Sequence, residues 1–252
     1  MSIYDKQYNQ VAKNYRQFSI SNKELIYVTD PLLMELIGDL NGKDVLDIGC
    51  GNGYHLSIVK EKNPKTLMGT DISESQIELC KEYLPRDIDL MVGSADAENF
   101  IEDLQSINTK QFDVIYHSYV QVHMSNSERM KSLWTNIYKL LKNEGKAVAI
   151  VSDPKAAKAS NVEKLLDLEY EFVNGAPLQN GDVYQTSLGP ELKVYSYYWT
   201  SETVAKIIQN IGFKNVEKVS VHANDISERV YSNEEWDKIE KSGAVYALLA
   251  TK

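Results

Sequence analysis

Three glycines at alternate positions, next to acidic residues, form the pattern in this sequence that points most directly to chemistry. Residues 47–53 read Asp-Ile-Gly-Cys-Gly-Asn-Gly and lie at the end of a short apolar run. Glycines let the backbone turn tightly and let a ligand approach the N-terminus of a following helix. Asp71 ends the next apolar run, 24 residues after Asp47, where a carboxylate can accept hydrogen bonds from both hydroxyls of a ribose. The pattern predicts a nucleoside-binding site.

The spacing of these glycines differs from the dinucleotide-binding pattern G-x-G-x-x-G. Tyr54 stands where that pattern requires its third glycine. Asp47 also stands just before the loop, where its carboxylate would repel a pyrophosphate but attract an ammonium group. The residues therefore favour a nucleoside that carries an amino acid over a dinucleotide.

Short apolar runs alternate with amphipathic segments from residue 43 onward. This rhythm predicts an α/β fold, a doubly wound and mostly parallel seven-stranded sheet with helices on both faces. The strands are expected at residues 45–48, 67–71, 90–92, 112–116, 146–151, 216–221 and 245–250. Amphipathic helices are expected at 125–141 and 202–211.

The rhythm breaks between residues 154 and 199, which do not fit one strand–helix unit. This stretch contains a helical pattern at 162–170, a loop rich in Gly, Pro and Asn at 174–181, and an aromatic strand-like run at 193–199. We interpret 154–199 as a lid inserted into a single domain of residues 1–252, with residues 1–40 as an N-terminal helical cap.

Composition excludes several classes of protein. The formal net charge is −9, with 27 Lys and Arg against 36 Asp and Glu, which argues against a nucleic-acid partner. No apolar run approaches the roughly 18 residues of a membrane span, and no secretory leader is visible. Two cysteines and four scattered histidines give neither a disulfide framework nor a metal-ligand spacing, so we expect no metal and a reduced, cytoplasmic setting.

Four segments carry a family pattern in the same order along the chain. They are residues 45–53 (Val-Leu-Asp-Ile-Gly-Cys-Gly-Asn-Gly), 69–73 (Gly-Thr-Asp-Ile-Ser), 94–97 (Ser-Ala-Asp-Ala) and 112–116 (Phe-Asp-Val-Ile-Tyr). Together they resemble the class I S-adenosylmethionine-dependent methyltransferases. Residues 8–15 also resemble the Tyr-x3-Ala-x2-Tyr opening of members that act on small molecules. The resemblance covers roughly residues 8–152 and implies the Rossmann-like methyltransferase fold with S-adenosylmethionine as cofactor.

The resemblance also implies roles for individual residues. The glycine loop would pass under the amino-acid part of the cofactor, Asp71 would bind the ribose, and Asp96 would accept from the adenine amine. The cofactor-binding residues implied in this way are Tyr15, Asp47, Gly49, Cys50, Gly51, Asp71, Ile72, Gln76, Ala95, Asp96, Ala97 and His117, the last through its backbone carbonyl.

The chemistry of the sulfonium group limits what the protein must supply. An in-line displacement requires that the acceptor be aligned and water excluded, and a base is needed only for a weak nucleophile. The candidate bases or acceptor-positioning groups are His117, Tyr119, His123 and Tyr197.

We therefore predict methyl transfer to a small, aromatic or heterocyclic metabolite. Asp153-Pro154-Lys155 does not match the Asn/Asp-Pro-Pro-Tyr motif of methylases that act on amino groups of nucleic acids or glutamine, and it follows the wrong strand. Two alternatives stay open at this point: a catalytically silent, cofactor-binding regulatory module and a nicotinamide-dependent oxidoreductase. The sequence leaves the acceptor, the methylated atom and the oligomeric state open.

Overall fold

A seven-stranded sheet organises the computed structural model, which describes residues 7–108, 110–189, 192–225 and 230–252. The strands are β1 (Asp44–Ile48), β2 (Thr66–Asp71), β3 (Asp89–Val92), β4 (Phe112–Ser118), β5 (Leu141–Ser152), β6 (Glu169–Phe172), β7 (Val183–Ser187), β8 (Lys193–Tyr197), β9 (Asn215–Ser220) and β10 (Val245–Thr251). Their order in the large sheet is β3-β2-β1-β4-β5-β10-β9, and β10 alone runs antiparallel to its neighbours. This confirms the predicted fold class.

Helices cover both faces of this sheet. They are α1 (Gln7–Ser19), α2 (Asp30–Ile37), α3 (Tyr54–Lys60), α4 (Glu74–Tyr83), α5 (Phe100–Ile107), α6 (Ser127–Leu140), α7 (Pro154–Ala159), α8 (Ser201–Ile211) and α9 (Asn233–Ser242). A π-helical turn, Leu25–Thr29, runs directly into α2. Among the described residues, no helix has the length and apolarity to cross a membrane.

The apolar periodicity of the sequence explains the two halves of the core. All five residues of β1 are buried, as a strand covered on both faces requires. One core cluster contains Leu33, Ile37 and Leu56, and the other contains Leu133, Trp134 and Ile137 from the amphipathic face of α6. Neighbouring residues of β1 enter different clusters, Val45 the first and Leu46 the second, so the two clusters lie on opposite faces of the sheet.

The region between β5 and α8 differs from the prediction. The prediction of a helix at 162–170 is wrong. Asn161 and Asp167 adopt positive φ angles of 53° and 52°, and the chain forms turns up to β6. The apolar residues of this stretch, including Val162 and Leu166, are buried within those turns. Strands β6, β7 and β8 form a separate antiparallel sheet.

Helix α9 was missed by the sequence analysis, although its signal is present. Ser232 and Glu235 form a capping box at its start, and Trp236 and Ile239 are buried on one face. The division into one domain with a cap and a lid stays a prediction. Residues 1–6 of the predicted cap and residues 190 and 191 of the predicted lid lie outside the described residues.

Candidate active site at the carboxyl end of the sheet

The glycine loop between β1 and α3 turns at the carboxyl end of the sheet. Gly49, Gly51 and Gly53 have φ angles of 71°, 54° and 82°, a region that side chains disfavour. A Cβ atom on Gly49 would lie 2.2 Å from Cγ2 of Val120. The backbone amides of Gly49 and Cys50 donate to the Thr70 carbonyl, at 2.7 and 2.9 Å, which holds the loop against β2.

Asp71 joins this loop to the start of α4. Its Oδ2 accepts from the Gly51 amide at 2.9 Å and its Oδ1 accepts from the Ser73 amide at 2.8 Å. Burial raises the pKa of Asp71 to about 6, although these two hydrogen bonds lower it. The carboxyl group is therefore fixed in position and faces a cavity of about 770 Å³, which we call the cofactor pocket.

Most of the predicted cofactor-binding residues lie around this pocket. Those that line it are Tyr15, Gly49, Gly51, Asp71, Ile72, Gln76, Ala95 and Asp96. The structure does not bring Asp47, Cys50, Ala97 or the His117 side chain to its wall. Their roles in cofactor binding stay predictions. Such roles would be to support the glycine loop or to contact the cofactor through the backbone.

Gln76 and Asp96 differ in whether their polar atoms have hydrogen-bond partners. The Gln76 amide is buried, and neither Oε1 nor Nε2 has a hydrogen-bond partner among the described residues. Asp96 instead pairs with Arg129, whose Nε lies 2.5 Å from Oδ2, and accepts from Ser94. Burial alone would raise the pKa of Asp96, but the bonds from Arg129 and Ser94 outweigh it and hold the pKa below its usual value.

Arg129 was missed by the sequence analysis. It lies in the first turn of α6, where the Asn126 side chain accepts from the Arg129 amide and caps the helix. The cap signal was visible in the sequence, but no local pattern indicates that this guanidinium pairs with an acid 33 residues away.

Two of the four catalytic candidates lie away from the pocket. The His117 ring is buried against Trp134, with ring centroids 5.6 Å apart, and neither ring nitrogen has a partner among the described residues. Burial lowers the pKa of His117 to about 3, so its ring is neutral. Tyr197 lines a separate small cavity beside Tyr198 and Trp199. The catalytic roles of His117 and Tyr197 stay predictions, and the structure places both side chains outside the cofactor pocket.

Tyr119 and His123 do line the cofactor pocket, and they also line a second cavity of about 450 Å³. We call this second space the acceptor cavity. Tyr8 and Tyr15 from α1 line both spaces as well, and the Tyr8 hydroxyl lies 3.3 Å from His123 Nε2. The two cavities therefore adjoin across a wall of four aromatic side chains.

The acceptor cavity is lined by elements distant in sequence. Its remaining lining residues come from α1, the π-helical region, the turn after β4, the end of β5, the turns before β6 and the small sheet with its flanking residues: Phe18, Glu24, Leu25, Val122, Ser152, Leu168, Tyr170, Thr186, Leu188, Val194 and Ser196. Helix α1 contacts the small sheet through Gln7, whose Oε1 accepts from the Tyr195 amide and whose Nε2 donates to the Tyr195 carbonyl, at 2.8 and 2.9 Å.

His55, in the first turn of α3, also lies beside the glycine loop. Its Nε2 lies 2.9 Å from Oδ1 of the buried Asp30, and Tyr54 donates to the other oxygen of that carboxylate. Burial alone would lower the pKa of His55, but Asp30 raises it above its usual value. His55 lines a small cavity with the glycine loop and Tyr15.

Three comparisons place the chain among known proteins. Residues 45–145 match a family model described as a methyltransferase domain. An uncharacterized protein of Haemophilus influenzae is 30% identical over 146 residues, which cover 58% of this chain and 56% of that protein. A tRNA U34 carboxymethyltransferase of Wolinella succinogenes is 33% identical over 143 residues, covering 52% of this chain and 49% of that one. The chain thus spans about half the length of the curated relatives it matches.

The fold has close structural parallels. An S-adenosylmethionine-dependent methyltransferase from Mesorhizobium loti superposes with a TM-score of 0.63 at 15% identity, covering 92% of this chain and 99% of that one. Residues 45–145 thus match a methyltransferase domain, and the sheet order gives the chain the fold of class I S-adenosylmethionine-dependent methyltransferases. This similarity implies S-adenosylmethionine as the cofactor.

The residues of the cofactor pocket fit that group chemically. Asp71 presents acceptor oxygens to ribose hydroxyls, and the buried Gln76 amide has the unpartnered donor and acceptor that a polar ligand would satisfy. The bare backbone at Gly51, which a Cβ would extend toward the Tyr15 ring 3.6 Å away, leaves space for a ligand to approach the loop.

Proposed function

We propose that this protein transfers a methyl group from S-adenosylmethionine to a small, aromatic or heterocyclic molecule held in the acceptor cavity. The observation that carries the proposal is that two adjacent cavities share a wall formed by Tyr8, Tyr15, Tyr119 and His123. Concave sites with mostly apolar walls and a few placed polar groups are typical of small-molecule sites.

When bound, S-adenosylmethionine supplies a methyl group that is already activated, because the sulfonium is a good leaving group. The chain then has to hold the cofactor, orient the acceptor and exclude water. Tyr8 and Tyr15 from α1 would close the site, and aromatic faces near a sulfonium favour its positive charge. His123 and Tyr119 keep their candidate roles in positioning the acceptor or accepting its proton.

A second candidate is transfer to tRNA, which the name of the Wolinella succinogenes relative brings into consideration. Three observations favour the small molecule. The net charge of −9 would repel a polyphosphate, and the acceptor cavity is a concave site between α1 and the small sheet. A carboxymethyl group is anionic, and no Lys or Arg occurs among the described residues that line the acceptor cavity.

Methyl transfer from tritium-labelled S-adenosylmethionine distinguishes these functions. The purified protein is incubated with a low-molecular-weight metabolite extract or with total tRNA, and label is followed in each fraction. We expect label in small molecules and none in tRNA. Label in tRNA would support the second candidate, and cofactor binding without transfer to either fraction would support a regulatory module.

A further inference from the structure

A buried glutamate faces the acceptor cavity from the start of the π-helical turn. Glu24 is 2% exposed and lines the cavity next to Leu25. The hydroxyls of Thr29 and Tyr119 both donate to its Oε1. Among the described residues, no hydrogen bond reaches Oε2. The carboxyl group is thus held by one oxygen, and the other is available to a ligand.

The π-helical turn accounts for this arrangement. A π-helix pairs each residue with the fifth one along the chain, and such turns occur frequently at functional sites. Glu24 and Thr29 are five residues apart, so this register brings their side chains together. Tyr119, directly after β4, adopts a positive φ of 61°, a conformation that costs free energy for a bulky residue. Its hydroxyl reaches both Glu24 and Thr29 as a result.

The charge around Glu24 is not balanced within the cavity. The described lining contains this one carboxylate, no Lys or Arg, the imidazole of His123, and apolar side chains. It also contains seven hydroxyl groups, those of Tyr8, Tyr15, Tyr119, Tyr170, Ser152, Thr186 and Ser196. Burial raises the pKa of Glu24 to about 7, although the bonds from Thr29 and Tyr119 lower it. A buried acid without a cationic partner is costly to ionise, and a ligand that carries a positive charge would relieve this cost.

We infer that the acceptor carries an amino group and that Glu24 binds this group in the acceptor cavity. This inference rests on the proposed function and narrows its substrate class to a small aryl or aralkyl amine. An ammonium group donates to Oε2 and neutralises the carboxylate, and the tyrosine and aliphatic walls contact the apolar part of the molecule.

The same contact supplies the proton acceptor that methylation of an amine requires. Glu24 takes one proton from the ammonium nitrogen, which frees its lone pair. The nitrogen then forms its bond to the methyl carbon as the carbon–sulfur bond breaks, and sulfur keeps that electron pair. The product is a methylammonium ion and a neutral thioether, and the proton on Glu24 passes to solvent.

Matched ligands test the inference by binding as well as by turnover. Benzylamine and 2-phenylethylamine are each compared with the alcohol and the carboxylate of the same carbon skeleton, by calorimetry on protein saturated with S-adenosylhomocysteine. We expect binding of at least one amine, at least tenfold tighter than its alcohol, and no binding of the carboxylates. Methyl transfer to that amine should follow with labelled S-adenosylmethionine.

A Glu→Gln substitution at two different positions tests whether amine binding depends on Glu24. Glu24→Gln keeps the size of the side chain and an oxygen for Thr29 and Tyr119, and it should weaken amine binding at least tenfold while cofactor binding persists. Glu35→Gln, at an exposed carboxylate on α2, should bind the amine like the wild type. Equal binding of amine and alcohol, failure of both amines to bind, or an unchanged Glu24→Gln would overturn the inference. If the wild-type protein does not bind S-adenosylmethionine or S-adenosylhomocysteine, the proposed function is overturned instead.

Discussion

The two ends of strand β1 carry the same residue type in opposite electrostatic states. Asp44, at the amino end, lies 2.7 Å from Lys142 and 3.7 Å from Lys110. Burial alone would raise the pKa of Asp44, but its bonds from Lys142 and Thr66 hold the pKa below its usual value. Asp47, at the carboxyl end, is buried without an ion pair among the described residues, and burial raises its pKa to about 7.

This contrast extends beyond a single strand. Asp113 shares Lys142 with Asp44 at the amino end, whereas Asp71 and Glu24 resemble Asp47 in having raised pKa values and no basic partner at the carboxyl end. At the amino end, where the acids support the fold, Asp44 and Asp113 form ion pairs with Lys142. At the carboxyl end, Asp47, Asp71 and Glu24 have no ion pair among the described residues, where a cationic cofactor and, by our inference, a cationic acceptor would bind, whereas Asp96 in the same cofactor pocket pairs with Arg129.

The largest expected effect is at Asp71. Asp71→Ala removes the acceptor oxygens offered to the ribose and releases the hydrogen bond that fixes the Gly51 amide. We expect S-adenosylmethionine affinity to fall at least 100-fold by calorimetry. Asp87→Ala, at an exposed residue paired with Lys60, is the matched control and should bind normally. Retention of near-wild-type affinity in Asp71→Ala would contradict the assignment of the ribose contact.

Lys142→Met tests the other end of the sheet. This change leaves two partly buried acids without their shared cation, so we expect the free energy of unfolding to fall by about 1–2 kcal/mol, a value reduced because Lys142 is partly exposed. Urea denaturation measures the loss. Cofactor affinity should be unchanged, and a parallel loss of affinity would show that the two ends are not independent.

The contact between α1 and the small sheet should give a smaller effect. Gln7→Ala removes two hydrogen bonds to Tyr195, each of which contributes about 0.5–1.5 kcal/mol. Since α1 also carries Tyr8 and Tyr15, we expect cofactor affinity to fall three- to tenfold. Gln10→Ala, at an exposed position of the same helix, is the control. Equal affinities of the two variants would exclude a role for this contact in closing the site.

The smallest effect concerns pH. Glu24 keeps its proton up to about pH 7 in the folded protein, whereas the unfolded chain releases it near the ordinary value of 4.5. The folded state thus binds more protons, and the stability associated with this group is lost as pH rises from 4.5 through 7. Glu24→Gln should gain a few degrees in Tm relative to the wild type between pH 5 and 8. A constant difference in Tm would be evidence against the raised pKa. Tyr119, Asp30 and His55 also influence the pKa of Glu24, and all three are present in both proteins of this comparison.

The cofactor pocket was largely predictable from the sequence because its residues follow strand ends directly. Gly49, Asp71 and Asp96 each lie within a short motif, and the order of the strands brings these motifs to one edge of the sheet. The seven-stranded fold was predictable for the same reason, since its strands are continuous apolar runs.

The acceptor side was not predictable in this way. Glu24 lines the acceptor cavity through packing between distant elements, and no local spacing encodes its contacts. The same holds for His55 beside the glycine loop and for Arg129 in the cofactor pocket. His117 was assigned by its position at a strand end, but neighbouring residues of a strand point to opposite faces, and its ring faces Trp134. The predicted helix at 162–170 failed because its apolar spacing also suits buried turns.

Calorimetric titration of the wild-type protein at pH 7.5 tests the central claim most directly, with S-adenosylmethionine in one experiment and NAD in the other. Unpaired acids at the carboxyl end of the sheet should favour the sulfonium and ammonium charges and repel a pyrophosphate. We predict saturable, one-site binding of S-adenosylmethionine and no heat with NAD. Binding of NAD, or the absence of heat with S-adenosylmethionine, would contradict the account.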